Sequence, residues 1–379
     1  MRKKWIGVIT VVFLICMMLT GCGSQETSAA SAENSAAVID TTIEETEEAA
    51  EREEAVETLK VAMMGQDVKT ACLILAEQLG FFEEEGVNVE FEKVSSLADA
   101  VTAVSSGKLD LLPYGVIPSL SFISQGADVV IIGGTISEGS EAIVAAGHSE
   151  DFQSIEDFRG KKVGCFRMET GHMVMKGLIR EAEMDLEKDV EFIYLDSAAS
   201  IIEAVLKGEI NIGFVNSGYG YIARQSGAEV AFAVGDYMPE FLCCRQTASR
   251  TSVTEKYDAL VKFEVAELRA YEVYLKDKET TLQILAEYSG QPEDYIEAIM
   301  YGTEEYRNAM IVSLDPNKDK VEEFYEVMKE NGDIDADTIY DIADYIDTSI
   351  YVEALQTAAA REMDQEIYAK LLAEYQKNN

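Results

Sequence analysis

Val89-Glu90-Phe91, Ala103-Val104, Gly107 and Gly126-Ala127 recur 101 residues further on, without a gap, as Val190-Glu191-Phe192, Ala204-Val205, Gly208 and Gly227-Ala228. Across the 42 positions from Val89 to Val130 this register gives eleven identities. Chance would give about two or three, at residue frequencies of about 7%. The same slide sets Leu109-Asp110-Leu111 against Ile210-Asn211-Ile212. Two similar units are therefore predicted, the second opening near Lys161-Lys162-Val163-Gly164. Around these anchors, short apolar runs alternate with helical patterns: a strand over Leu59 to Met64, a helix over Val68 to Leu79, a strand over Val87 to Val94, a helix over Leu97 to Ser106 and a strand over Leu109 to Leu112. That is the rhythm of a parallel sheet with crossover helices. In each unit the strand after the matched glycine runs into a loop, Pro113 to Pro118 or Val215 to Tyr219. Ligands of open α/β sheets bind outside the carboxyl ends of strands, so two facing units imply a cleft between them.

After Arg250 the character turns mostly helical, with amphipathic stretches over Glu255 to Leu275, Thr280 to Tyr288, Pro292 to Met300, Lys318 to Glu330 and Ala336 to Tyr345. Asn331-Gly332 is a stop signal. These helices are expected to pack on the first lobe, and the tail after Tyr351 to lie on the surface.

The 379 residues carry 31 Lys+Arg against 70 Asp+Glu, a net charge of −39. Nucleic-acid binding needs a basic face and is excluded. Residues 23–57 hold eleven of the acids and one Arg, leaving 59 acids and 27 bases from residue 58 onward. Arg2-Lys3-Lys4 followed by the uncharged apolar run Trp5 to Leu19 fits an export signal and is short for a membrane span. It ends in Leu19-Thr20-Gly21-Cys22, which resembles the lipobox of bacterial lipoproteins and makes Cys22 the expected lipidation site. Two or more acyl chains hold a protein stably where one does not. The chain is therefore expected on the outer face of the cytoplasmic membrane, lipid-anchored, with residues 1–21 as signal and 22–57 as an acidic, unfolded spacer. The one tryptophan, Trp5, leaves with the signal. Four cysteines then remain beside Cys22: Cys72, Cys165, Cys243 and Cys244. No C-x-x-C or His-rich spacing supports a zinc site. In a regular strand Cys243 and Cys244 would face opposite ways and stay unbonded.

Leu79-Gly80-Phe81-Phe82-Glu83-Glu84-Glu85-Gly86-Val87-Asn88-Val89 resembles the helix-to-strand passage of solute-binding proteins of the nitrate, sulfonate, taurine and thiamine-precursor group. Gly107-Lys108-Leu109-Asp110, Gly126-Ala127-Asp128-Val129-Val130 and Ser154-Ile155-Glu156-Asp157-Phe158-Arg159-Gly160-Lys161-Lys162-Val163 follow in that group's order. The resemblance covers roughly Leu59 to Leu355 and implies a two-lobed α/β periplasmic-binding-protein fold of type II, with a helical C-terminal region on lobe 1. It implies lobe 1 over 58–145, lobe 2 over 146–247 and a helical return over 248–379. The crossing segments would be near Ala142 to Gly147 and Phe241 to Ala248. It further implies a small-molecule solute, an ABC permease and its cytoplasmic ATPase as partners, and no cofactor.

Each candidate site residue carries two readings. Gln66 faces the cleft mouth or lies at a helix start capped by Asp67. Tyr114 stacks on a flat solute, with Gly115 admitting close approach, or is a core tyrosine. Ser137 donates to a solute oxygen or bonds its own loop. Asn216 and Ser217 follow a second-lobe strand. Thr170 caps a helix whose first N–H groups, at Gly171, His172 and Met173, attract an anion or a ring carbonyl, or that helix is simply a capped one with His172 on its surface. Arg167 beside it reads as a solvated charge at a strand end. Thiamine-pyrimidine synthases share the implied fold and use a cysteine-rich motif. Cys243-Cys244-Arg245-Gln246 departs from it, and the expectation is a receptor without enzymatic activity. A sensory lipoprotein independent of transport is a further alternative.

Overall fold

The computed structural model describes residues 56–167, 169–216, 218–361 and 364–379. The expected signal, Cys22 and the spacer up to residue 55 lie outside the described residues, as does Ser217, and Glu57, expected as the end of the spacer, already belongs to the first strand. The strands are β1 (Glu57–Met63), β2 (Val87–Lys93), β3 (Leu111–Leu112), β4 (Val129–Ser137), β5 (Ser140–Ala145), β6 (Lys162–Cys165), β7 (Glu191–Tyr194), β8 (Ile212–Asn216), β9 (Ala228–Ala233), β10 (Leu242–Ser249) and β11 (Ile311–Val312). They form two sheets, ordered β11-β4-β10-β3-β1-β2 and β7-β6-β8-β5-β9. In the first, β1 pairs in parallel with β2 and β3; in the second, β6 pairs in parallel with β7 and β8.

The repeat seen in the sequence reappears as matched local chemistry. Ser96 accepts the Asp99 N–H at 3.3 Å and caps the helix Leu97–Ser105; Ser197 accepts the Ser200 N–H at 3.2 Å and caps the helix Ala198–Leu206. Each helix is closed by a glycine in the left-handed region, Gly107 and Gly208, both at φ +69°. A Cβ would strain that turn, so glycine recurs there. Each then feeds the strand pair β3 or β8, placed in the same position of its sheet.

The lobes exchange strands symmetrically. β5 follows β4 in the chain but lies between β8 and β9, antiparallel to both; β10 follows β9 but lies between β3 and β4, antiparallel to both. The chain therefore changes sheets at Glu138-Gly139 and again between residues 234 and 241. The expected crossing segments, Ala142 to Gly147 and Phe241 to Ala248, fall largely inside β5 and β10, and the limits expected at 145/146 and 247/248 shift accordingly. The physical reason is burial: Ala142, Ile143 and Val144, like Cys244 to Ala248, are enclosed by neighbouring strands, whereas the true turn uses positive φ at Glu138 (59°) and Gly139 (83°).

The helix Tyr257–Lys276 packs on the first lobe, with Phe263 stacked on Phe82 at 5.0 Å and Arg269 paired with Glu84 and Glu85. Two expectations fail in this region. Residues 336–341 form no helix; only Ile342–Tyr345 makes a 3-10 turn, because Thr338 donates to the Ser124 carbonyl at 2.7 Å and Tyr340 lies against Gly126. The tail is not mere surface either. The helix Ser349–Ala359 buries Tyr351, Ala354 and Leu355, and Tyr368 is buried in the helix Gln365–Asn378. Among the described residues no helix is long and apolar enough to cross a membrane.

Candidate functional site

The carboxyl ends of β1 and β3 in one lobe and of β6 and β8 in the other open on a shared cavity of about 540 Å³. The first lobe supplies Asp67, Lys69, Lys93, Tyr114 and Gly115; the second supplies Phe166, Glu169, Thr170 and Asn216; and β10 adds Cys243 and Cys244. Beyond the Gln66–Lys69 loop a smaller space of about 180 Å³ continues between Tyr219, Ile222 and Tyr295. On the far side the lobes are tied by Lys176 to Asp333 at 2.5 Å and by Asn331, which donates to the Met173 carbonyl at 3.1 Å.

Tyr114 accepts the Met64 N–H at 3.0 Å and lies 3.7 Å from the Met63 sulfur, so its phenol closes the end of β1. Burial pushes its pKa up. Gly115 is bridged to Cys244 of β10. Lys69 is paired with Asp67 at 3.6 Å. Arg167, exposed beside the cleft, stands over the Tyr194 ring at 4.4 Å.

The second-lobe helix Thr170–Glu181 overturns an expectation. Its N-cap is Glu169, not Thr170. One Glu169 oxygen accepts the Gly171 N–H at 3.0 Å and the Ser140 hydroxyl at 2.6 Å; the other accepts the His172 N–H at 2.7 Å. The N–H groups expected to attract a solute are thus already bound to a carboxylate of the chain itself. Burial raises the Glu169 pKa, against the pull of those three donors. His172 is buried, not on the surface. Its Nδ1 lies 3.0 Å from the Glu169 carbonyl and its ring meets Phe192 and Tyr194 edge-on. Burial, with Lys176 nearby, lowers its pKa to about 4. Gly171 is required by packing, since a Cβ there would stand 2.3 Å from the Ser140 Cβ.

Two further expected residues lie apart from this cavity. Gln66 is outside the main cavity, where it donates to the Tyr288 carbonyl at 3.0 Å and lines both the smaller space beside Tyr219 and a groove with Phe91 on lobe 1. Ser137 is buried at the end of β4 and accepts Arg245 Nη2 at 3.1 Å. Arg245 is fully enclosed and also donates to the Pro316, Ile136 and Cys244 carbonyls. Burial brings its pKa down to about 10. The cleft thus gathers Tyr114, Gly115, Thr170 and Asn216 from the expected set. The residues that sequence reasoning missed are Asp67, Lys69, Phe166, Glu169 and the cysteine pair. Glutamate is not a favoured N-cap type, so Glu169 gave little signal beside Thr170.

This strand order, two lobes exchanging strands around a cleft at the carboxyl ends of their parallel strands, is that of the type II periplasmic-binding-protein fold. Solved structures agree: the periplasmic nitrate-binding protein NrtA from Synechocystis PCC 6803 superposes with a TM-score of 0.65 at 17% identity, over 83% of this chain and 91% of its own. The periplasmic aliphatic sulphonate binding protein SsuA from Escherichia coli gives 0.62 at 18%, over 78% and 93%. The chain belongs to the NMT1/THI5 like family, whose sequence profile matches residues 67–281. Among curated relatives, the 4-amino-5-hydroxymethyl-2-methylpyrimidine phosphate synthase of Aspergillus parasiticus is 27% identical over 146 residues, 38% of this chain and 41% of the relative. The chain thus spans about two fifths of that relative's length.

Proposed function

We propose that the protein is an extracytoplasmic solute receptor, held to the membrane through Cys22, that captures a flat nitrogen heterocycle of the thiamine-pyrimidine kind and delivers it to an ABC permease. The observation that carries the choice of solute is Glu169. Its enclosed carboxylate fills the helix end that would otherwise hold an anion, and the acceptors that face the cavity are those of Asp67 and Asn216 on its two sides. Acceptors suit exocyclic amines and ring N–H groups, and Tyr114 and Phe166 offer faces for a flat ring. A nitrate or sulfonate would find the N–H groups of that helix end already bound, and Lys69 already engaged by Asp67.

The reading includes no catalytic step. His172 is buried, held largely neutral and packed on aromatic rings, which supports a packing role over that of a reactive histidine. Dye-based thermal shifts against aminopyrimidines, alkanesulfonates and nitrate test the choice. Stabilisation by aminopyrimidines alone is expected. Stabilisation by the anions alone overturns the heterocycle, and turnover of a bound pyrimidine overturns the receptor. Small-angle scattering should show a smaller radius of gyration with saturating solute if the lobes close on it.

A further inference from the structure

The cleft wall holds a feature that solute binding does not require. The sulfurs of Cys243 and Cys244 lie 3.6 Å apart, both thiols are free, and both residues line the cavity. Successive residues of a regular strand send their side chains to opposite faces. β10 is irregular here: its pairing with β4 shifts register between Leu242 and Cys244 and again between Cys244 and Arg245. Bulges of this kind re-aim side chains, and this one brings two neighbouring thiols together. Simple core packing would need neither their meeting nor a cavity in front of them.

We propose that Cys243 and Cys244 form a reversible dithiol–disulfide modification site in the cleft wall, oxidised by small disulfides that enter through the cleft. In the first step the Cys243 thiolate attacks one sulfur of the small disulfide. The small S–S bond breaks, a mixed disulfide forms on Cys243, and one small thiolate leaves and takes up the proton that Cys243 gave up. In the second step Cys244 loses its proton and attacks the Cys243 sulfur, the mixed bond breaks, and the second small thiol departs protonated. Two protein thiols are oxidised and one small disulfide is reduced to two thiols.

The surroundings assign the order of attack. The two sulfurs share a hydrogen bond in which either can donate; with Cys244 donating, the Cys243 pKa falls against the effect of burial, and the Lys69 ammonium adds to that lowering. The same hydrogen bond and burial raise Cys244. Burial also raises the other described cysteines: Cys72, with Glu267 and Glu264 near it, and Cys165, with Glu169 near it, to about 12. The thiolate is the attacking species, so Cys243 is the first nucleophile and Cys244 the resolving one. A disulfide needs its sulfurs about 2 Å apart, so closure tightens the bulge. Cys244 is bridged to Gly115 and the Arg245 N–H donates to the Tyr114 carbonyl at 3.1 Å, which carries that tightening into the cleft.

The full-length protein, incubated with oxidised glutathione, quenched in acid and alkylated, is read by peptide mass spectrometry. The peptide holding 243–244 should lose two hydrogens and regain them on treatment with a dithiol. Cys244→Ser should instead keep one glutathione on Cys243. Cys243→Ser should react at Cys244 about tenfold more slowly or less, because thiolate fraction governs attack. The wild-type protein decides the matter even if either variant folds poorly. Full alkylation of both thiols, a persistent single glutathione adduct on the wild-type pair, or bonding of either cysteine to Cys72 or Cys165 would overturn the proposal.

Discussion

Replacing Glu141 by Gln should flatten a large part of the fall in stability between pH 5 and pH 8. Glu141 sits fully buried on β5, where Tyr306 donates to one of its oxygens at 2.5 Å and Asn308 to the other at 2.8 Å. It therefore straps the second sheet to the loop that leads into β11. Burial raises its pKa to about 7 from 4.5, despite the opposing pull of Tyr306, Asn308, Arg224 and the Gly220 N–H. A carboxyl raised in this way is neutral in the folded chain while its unfolded counterpart ionises. Its contribution is intact below about pH 4.5 and is lost as pH rises through about 7. With about 1.4 kcal/mol per pKa unit, integration between pH 5 and pH 8 gives a loss of about 2 to 3 kcal/mol through this one group. Glutamine keeps the size, and the Asn308 amide and Tyr306 hydroxyl can reverse to satisfy it. Urea unfolding of both proteins at the two pH values measures the difference of differences, in which other titrating groups cancel. Equal pH dependence in wild type and Glu141→Gln would refute the reasoning.

Three more outcomes can be checked directly. Glu169→Ala removes the N-cap and frees the Gly171 and His172 N–H groups; it should cost about 1 to 2 kcal/mol in unfolding free energy and create sulfate-dependent stabilisation absent from the wild type. Gly171→Ala places a Cβ against Ser140 and should lower stability by about 1 to 3 kcal/mol, the usual range for overpacking, as read by chemical denaturation. Cys22→Ser should release the protein from washed membranes without altering solute affinity measured by calorimetry; retention on the membranes would count against lipidation.

Much of the fold was legible because repetition converts weak local signals into strong ones. Ser96 and Ser197, or Gly107 and Gly208, would each be an ordinary helix boundary, but together they mark two copies of one unit. The sheet exchange was harder to read. β5 and β10 are apolar runs like any other, and no local signal says which sheet a strand joins when its partners are distant in sequence. The site was legible only where it followed strand ends, as with Tyr114 and Asn216. Its electrostatics were hidden, since Glu169 looks like a surface acid until Ser140, supplied by the crossing strand β5, is brought to its side. Buried acids raise the same difficulty: Glu264 and Glu267 lie on the inner face of the helix Tyr257–Lys276, fully enclosed, where an amphipathic pattern reserves the place for apolar residues.

The exchange of strands also bears on how the chain assembles as it is made. All strands of the second sheet lie between residues 140 and 233, in one unbroken stretch, whereas the first sheet needs β1 to β4 and then β10 and β11, the last ending at residue 312. Loop closure over such a separation carries an entropic cost that local pairing avoids. During N-to-C synthesis the leading lobe must wait, with β3 and β4 missing the strand that joins them, while the later lobe can complete around β5. The sheet that emerges first is thus the last whose strands are all available, and β4 does not have both of its neighbours, β10 and β11, until the chain has passed residue 312.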